Sequence, residues 1–235
     1  MKALAFAVTL SLTLAIAVVA QDSKPSPKSN VASRQPAEAA ANIDVAAIQK
    51  KIDEYTAAIK NDPQNDKYFG ARGQNYQRLG KLDLATDDLD RAIAINPNKQ
   101  AYYQVRALIF STQGRYRESF ADYSKAISCG PVTHNLYLKQ GQTALLSRDY
   151  ETAYVAAKEA LSRKADDQET LVLLGSAEQG KGMYQESVKH LNRAIELNPT
   201  DSGAISIRGD SYIKLGQTEL AIRDKSRAKQ LGFRH

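Results

Sequence analysis

The sequence is poor in the residues that build metal and redox centres. It contains one cysteine, no tryptophan and three histidines among 235 residues. The single cysteine, Cys129, excludes an internal disulfide framework and any site made of several thiolates. The three histidines, His134, His190 and His235, lie far apart along the chain and form no recognisable ligand cluster. We therefore expect no metal, no cofactor and no catalytic centre.

Excess charge is also modest. The chain has 32 basic and 26 acidic residues, which leaves a formal charge of +6. That value is too small for a protein that condenses nucleic acid, and the 43% of hydrophobic residues is enough to form a substantial core.

The longest uncharged run stands at the N-terminus. Met1 and Lys2 are followed by residues 3–20, which are rich in Ala, Leu and Val and end in small residues. This pattern predicts a secretory signal peptide that is cleaved after Ala20, and hence a periplasmic or secreted protein. A retained membrane anchor is the alternative, because a run of this length can just cross a bilayer. Residues 21–43 hold three prolines and four serines and are predicted to form a flexible linker.

A period of 34 residues organises the rest of the chain. Alanine recurs six times at this interval, at Ala58, Ala92, Ala126, Ala160, Ala194 and Ala228. Glycines and prolines keep the same period, which divides the chain into five units: 66–99, 100–133, 134–167, 168–201 and 202–235. In each unit, two apolar stripes at helical spacing flank an interruption, so each unit is predicted to form two antiparallel helices. Small residues such as Gly73 and Ala92 are expected where the two helices cross.

The repeated pattern resembles the tetratricopeptide repeat family. The match is clearest in residues 168–199, through Leu174-Gly175, Gly182, Tyr184, Leu191, Ala194 and Pro199. It covers residues 66–235, although the tryptophan common at the start of family repeats is replaced by Phe69, Tyr103, Tyr137, Leu171 and Ile205. The resemblance implies an all-α solenoid, a right-handed superhelix that binds a peptide or protein segment along its concave wall and acts as a non-catalytic scaffold.

Both ends of the array depart from the repeat. Residues 44–65 match only the second helix of a unit and are predicted to form a solitary capping helix. In the last unit, Lys225 and Lys229 stand where earlier units carry apolar residues, so we expect the final helix to have a polar outer face that caps the array.

One face of the first helices is the candidate partner-binding groove. It is rich in amides and has an apolar middle, which favours a ligand with apolar side chains and accessible backbone groups. The alternative is that its leucines pack between neighbouring helices. The predicted groove residues are Lys67, Gln74, Gln77, Arg78, Gln104, Leu108, Ser111, Asn135, Leu138, Gln142, Leu145, Val172, Ser176, Gln179, Ser206 and Asp210.

Some members of the family clamp a partner's terminal carboxylate with a set of lysines and asparagines, and that set is absent here. The fifth unit offers a second hypothesis, the binding of an anionic polymer or surface through a basic end. The residues of this basic end are Arg208, Lys214, Arg223, Lys225, Arg227, Lys229 and Arg234. Nucleic acid is not the expected partner, because only Tyr212 and Phe233 are available there to stack on bases.

Overall fold

The computed structural model describes residues 44–233. The signal peptide and the linker predicted for residues 1–43 lie outside this range, as do Arg234 and His235. The described residues form helices and no strands. The helices are α1 (Val45–Asn61), α2 (Asp66–Arg78), α3 (Leu82–Ile95), α4 (Gln100–Thr112), α5 (Tyr116–Cys129), α6 (His134–Leu146), α7 (Tyr150–Arg163), α8 (Gln168–Gly180), α9 (Tyr184–Leu197), α10 (Ser202–Lys214) and α11 (Thr218–Gln230).

Local sequence signals set the ends of these helices. The residue before each of α2, α6, α8 and α10 is Asn, Thr or Asp, and its side chain accepts a hydrogen bond from a backbone amide in the first turn. Between the two helices of a unit, one residue has a positive φ, which is glycine in four units and Arg148 in the third. The first helices begin at residues 66, 100, 134, 168 and 202, at the interval of the sequence period.

Each helix packs against the next one in the chain, so the hairpins stack into an α-solenoid. Glycines allow the close approach of the two helices in a unit. A Cβ atom built on Gly175 would lie 2.7 Å from Cγ of Leu191, and one built on Gly141 would lie 3.2 Å from Cβ of Ala156. The prediction that small residues mark the helix crossings is confirmed. The core is a row of apolar clusters along the stack and has no single centre.

The leading helix α1 packs against α2 and buries Ile48 and Ile52. The far end differs from the expected polar cap. The Lys225 side chain folds over Gly209 and its Nζ lies 2.7 Å from Oδ1 of Asp210, because there is no bulky side chain at residue 209 to exclude it. Two isoleucines, Ile213 and Ile222, are instead 55% and 61% exposed. On the final helix, Lys229 is exposed as the polar outer face requires, whereas Lys225 and Ile222 depart from that prediction.

Within residues 44–233, no helix combines the length and the apolar character that crossing a bilayer requires.

Candidate protein-binding groove

The first helices contact one another between the first and second units and from the third unit to the fifth, and together they form the inner wall of the stack. Between α6, α8 and α10 this wall opens into a cleft of about 370 Å³. The floor of the cleft is apolar and its rim is polar. The lining residues are Gln142, Leu145, Gln168, Glu169, Val172, Leu173, Ser176, Asn198, Thr200, Asp201, Ser202, Gly203, Ala204 and Ile207.

Hydrogen bonds between adjacent units hold the rim of the cleft. Nε2 of Gln168 donates to Oδ2 of Asp201, which joins the start of α8 to the start of α10. At the opposite end of these helices, Nε2 of Gln179 donates to the carbonyl oxygen of Ile207 at 2.9 Å and to Oγ of Ser211 at 3.1 Å. Hydrogen bonds near both ends of α8 therefore join it to α10.

The rim carries more negative than positive charge. Glu169 is exposed and Asp201 is half-buried, and both line the cleft. The nearest cation along α6 is Lys139, whose Nζ donates to Oε1 of Gln142 at 3.1 Å. A ligand carboxylate in this cleft would meet two acidic side chains, whereas a backbone amide or a basic side chain would find acceptors.

The structure divides the predicted groove residues into three groups. Lys67, Gln74, Arg78 and Asn135 are exposed; Gln77, Gln104, Leu108, Gln142, Val172, Gln179 and Asp210 are half-buried; Ser111, Leu138, Leu145, Ser176 and Ser206 are buried. The exposed and half-buried groups are accessible from the wall, and Gln142 and Val172 line the cleft.

The prediction that apolar side chains in the middle of the groove are accessible to a ligand is wrong for Leu138. Leu138 is 4% exposed and belongs to the core cluster shared by the third and fourth units, so it is not available to a ligand. Leu145 belongs to the same cluster and is 9% exposed, although it reaches the floor of the cleft. Each points toward the neighbouring hairpin, because the solenoid stacks through this part of the helix. The accessible apolar side chains of the middle are Leu108 and Val172.

Sequence reasoning missed the part of the cleft formed by the starts of α8 and α10. The predicted groove does not include Gln168, Glu169 and Asp201, because the prediction uses only one face of each first helix, through its middle. The available signal was the capping position: Asp201 stands one period after Asp167 and two after Thr133.

The basic end carries less free charge than the sequence predicts. Arg208 binds Asp224 through two nitrogen atoms, with its Nη2 2.7 Å from Oδ1, and Lys225 is paired with Asp210. These two cations are therefore neutralised inside their own unit. Lys214, Arg223 and Lys229 remain exposed, Nη2 of Arg227 donates to the carbonyl oxygen of Pro199, and Arg234 lies outside the described residues.

A second repeated feature was also missed, a ladder of half-buried arginines. Arg72, Arg106 and Arg208 occupy the same place in three units, and each binds an aspartate on the second helix of its own unit. Each also donates to a side chain on a helix before its own unit, which is α1 for Arg72 and the second helix of the preceding unit for Arg106 and Arg208. Every arginine thus fastens three helices together, and stacked hairpins joined in this way define an α-solenoid with an extended inner wall.

The comparison with protein families agrees with this architecture. The tetratricopeptide repeat model matches residues 67–99 and 168–201, in the first and fourth units. The model therefore identifies tetratricopeptide repeats in these two units.

Relatives and solved structures resemble the chain at low sequence identity. Hsp70-Hsp90 organizing protein of Triticum aestivum is 25% identical over 191 residues, which cover 78% of this chain and 32% of that protein. Tetratricopeptide repeat protein 13 of Homo sapiens is 25% identical over 166 residues, 68% of this chain and 19% of that protein. The chain therefore spans a minor part of the length of these relatives.

Two crystal structures show the same fold. YrrB, described as a TPR protein with an unusual peptide-binding site, has a TM-score of 0.68 at 17% identity and covers 76% of this chain and 92% of its own. MamA has a TM-score of 0.65 at 14% identity and covers 71% of this chain and 91% of its own.

Proposed function

We propose that the protein is a non-catalytic scaffold that binds an extended segment of a partner protein along the wall of its first helices. The cleft between α6, α8 and α10 is the observation that carries this proposal. It combines an apolar floor with amide side chains at its rim, and such a surface can bury a side chain while it bonds to the backbone. The peptide-binding site named for YrrB, a structure of the same fold, supports the same conclusion.

The residues that line the cleft predict which chemical groups the bound segment presents. An aliphatic side chain seated on Val172 and Ile207 would contribute about 1.5–3 kcal/mol from its burial. Amides such as Gln142 and Gln168 would meet the peptide backbone, each net hydrogen bond adding about 1 kcal/mol. One cleft is too small for tight binding, so the segment must continue along several units.

A chaperone-type carboxyl terminus does not fit this wall. The places where a carboxylate clamp would stand hold Gly70 and Gln74, then Gln104 and Leu108, then Leu138 and Gln142. Glu169 and Asp201 at the rim add repulsion. Binding of chaperone proteins, which the name of the wheat relative implies for that protein, is therefore not the function we propose for this chain.

A pair of identical substitutions tests the groove. Val172→Glu places a charge on the cleft floor, whereas Val155→Glu makes the same change at a side chain that is 52% exposed on the second helix α7. We expect Val172→Glu to abolish the recovery of protein partners in affinity purification from the native compartment, and Val155→Glu to leave it intact. Circular dichroism of both variants checks that the fold is retained. Equal recovery by the two variants would refute the groove.

We also propose that the protein is exported. The support is the sequence of residues 1–20, which lie outside the described range. Intact mass and N-terminal sequencing of the protein from its native host are expected to show a chain that begins at Gln21. A mature chain that retains Met1 would overturn cleavage and leave the membrane anchor as the alternative.

A further inference from the structure

The outer face of the last unit retains the residues through which earlier units bind their neighbours. Ile213 on α10 and Ile222 on α11 are more than half exposed, and Ser226 on α11 is also exposed. These three residues and the exposed Lys229 on α11 define what we call the end face. Their equivalents one or more periods upstream show what such positions do when another helix follows.

The two isoleucines occupy places that contact the following unit. One period before Ile213 stands Gln179, which donates two hydrogen bonds to α10. Three periods before Ile222 stands Phe120, which packs against a core cluster built entirely from α6, α7 and α8. At the same place in the third unit, the ring of Tyr154 lies 4.1 Å from Nζ of Lys181 in the fourth unit. The end face is therefore a stacking surface that no helix covers among the described residues.

Ser226 occupies the place of an acceptor in the arginine ladder. Four of its five equivalents, Thr56, Asp90, Ser124 and Asn192, each accept a hydrogen bond from the first helix of the following unit, whereas the third unit has Lys158 at this place. The donors are Arg72, Arg106, Gln140 and Arg208, respectively. Within the described residues, the Ser226 side chain has no such donor. The end face can therefore still accept an arginine or a glutamine from a docked helix.

At one position of this face the last unit has a charged residue where the four earlier units have an aliphatic one. Lys229 stands where Ile93, Ile127, Leu161 and Ile195 pack against their clusters. It is exposed, and the exposed Arg223 lies on the same helix. A helix that covers the end face must therefore bring a carboxylate to Lys229, because a buried unpaired ammonium group is costly.

We propose that the end face binds an amphipathic helix of another protein. This helix places aliphatic side chains on Ile213 and Ile222, gives a hydrogen bond from Arg or Gln to Ser226, and pairs Asp or Glu with Lys229. The proposal continues the stacking interface of the solenoid and is independent of the groove. A second copy of the same face fits poorly, since it would bring Lys229 and Arg223 against like charges. A lipid surface would leave the directional acceptor Ser226 unused.

The chain itself supplies a probe. A hydrocarbon-stapled, fluorescent peptide of residues 201–217 reproduces α10, which stacks on α9 in the intact protein. In that stack Ala204 lies in the same cluster as Ile195. Lys229 stands one period after Ile195, so residue 204 of a peptide that docks on α11 in the same way would lie beside Lys229. We expect the peptide carrying Ala204→Glu to bind the full-length protein at least about tenfold more tightly than the peptide carrying Ala204→Lys, measured by fluorescence anisotropy.

Substitutions in the protein test where the peptide binds. Ile222→Glu should weaken binding about tenfold or more, whereas Leu84→Glu, at a leucine that is 47% exposed on α3, should not. Lys229→Glu should reverse the preference between the two peptides, and Lys189→Glu, at an exposed lysine on α9, should leave it unchanged. A reversal of preference requires a folded protein, so it cannot arise from misfolding.

Three outcomes would overturn the proposal. The first is peptide binding that Ile222→Glu and Lys229→Glu leave unchanged. The second is a dimer in light scattering that Ile222→Glu dissociates, which assigns the face to a second copy. The third is binding to phosphatidylserine vesicles that Ile222→Glu abolishes, combined with no binding of either peptide.

Discussion

A single residue in the turn of each hairpin sets the direction in which the second helix starts. In four units it is a glycine with φ between 70° and 81°, whereas Arg148 adopts φ 63° in the third unit. The glycine period was visible in the sequence, and so was the exception at residue 148. The strain at Arg148 could not be read from the sequence alone, because a different turn could have formed there.

We expect Arg148→Gly to stabilise the protein by about 1 kcal/mol, because it removes the left-handed strain of a residue with a Cβ atom. The reverse change, Gly182→Arg, should destabilise it by a similar amount. A Cβ atom at Gly182 would meet nothing within 4 Å, so its cost is conformational and not steric. Urea unfolding followed by circular dichroism measures both changes, and a destabilised Arg148→Gly protein would contradict this account.

At the scale of the helix, the start of α8 depends on one charged cap. Oδ2 of Asp167 accepts hydrogen bonds from the backbone amide and the side chain of Thr170, and Nε2 of His134 lies 3.2 Å from it. Burial alone would raise the pKa of Asp167, but the hydrogen bonds from Lys164 and Thr170 outweigh it and lower the pKa to about 2. The ionised cap thus stabilises the folded state.

This shift predicts a dependence of stability on pH. The ordinary pKa is 3.8 and the folded value is lower, so the contribution is complete above about pH 4 and is lost as the pH falls toward 2. Asp167→Asn keeps a good cap but removes the charge. We expect this variant to be less stable than the parent protein at pH 6 and to approach it at pH 2.5, in urea titrations at both values. Asp149→Asn, at the cap of α7, controls for the substitution itself. An equal difference at both pH values would contradict the assignment.

Between helices, the arginine ladder is the main polar link. Arg106 joins Asp122 in its own unit to Asp90 in the preceding one. Because the side chain of Asp122 is only 8% exposed, Arg106→Leu leaves a nearly buried carboxylate unpaired and should destabilise the protein by about 2–3 kcal/mol. Arg115→Leu breaks an exposed pair with Glu118 and should leave the thermal midpoint unchanged. Similar midpoints for the two variants would show that the ladder does not hold the units together.

The period predicted the helices well and the contacts between them less well. The repeat of small and apolar residues predicts where helices start and cross, because both features depend on residues within a single unit. The partners of Arg106 lie 16 residues away on either side, on other helices, so no reading of a single helical face could pair them. Leu138 was misplaced for the same reason, since the part of a first helix that turns to its neighbour depends on how the units stack.

At the scale of the whole molecule, stacking produces two distinct surfaces. The inner wall runs across the first helices and holds the cleft, while the end face lies on the last unit. Two of the basic residues of the fifth unit, Arg208 and Lys225, form internal ion pairs, which reduces the positive charge available to bind an anionic surface. The groove therefore remains the centre of the functional account.

Site-specific photocrosslinking of the protein in its native compartment tests that account most directly. A photoreactive amino acid at position 104, 142 or 172 lies on the wall of first helices, whereas positions 155 and 189 lie on second helices. The account predicts that the three wall positions capture the same protein and that the two others do not. Capture of that protein from positions 155 and 189, with none from the wall, would contradict it.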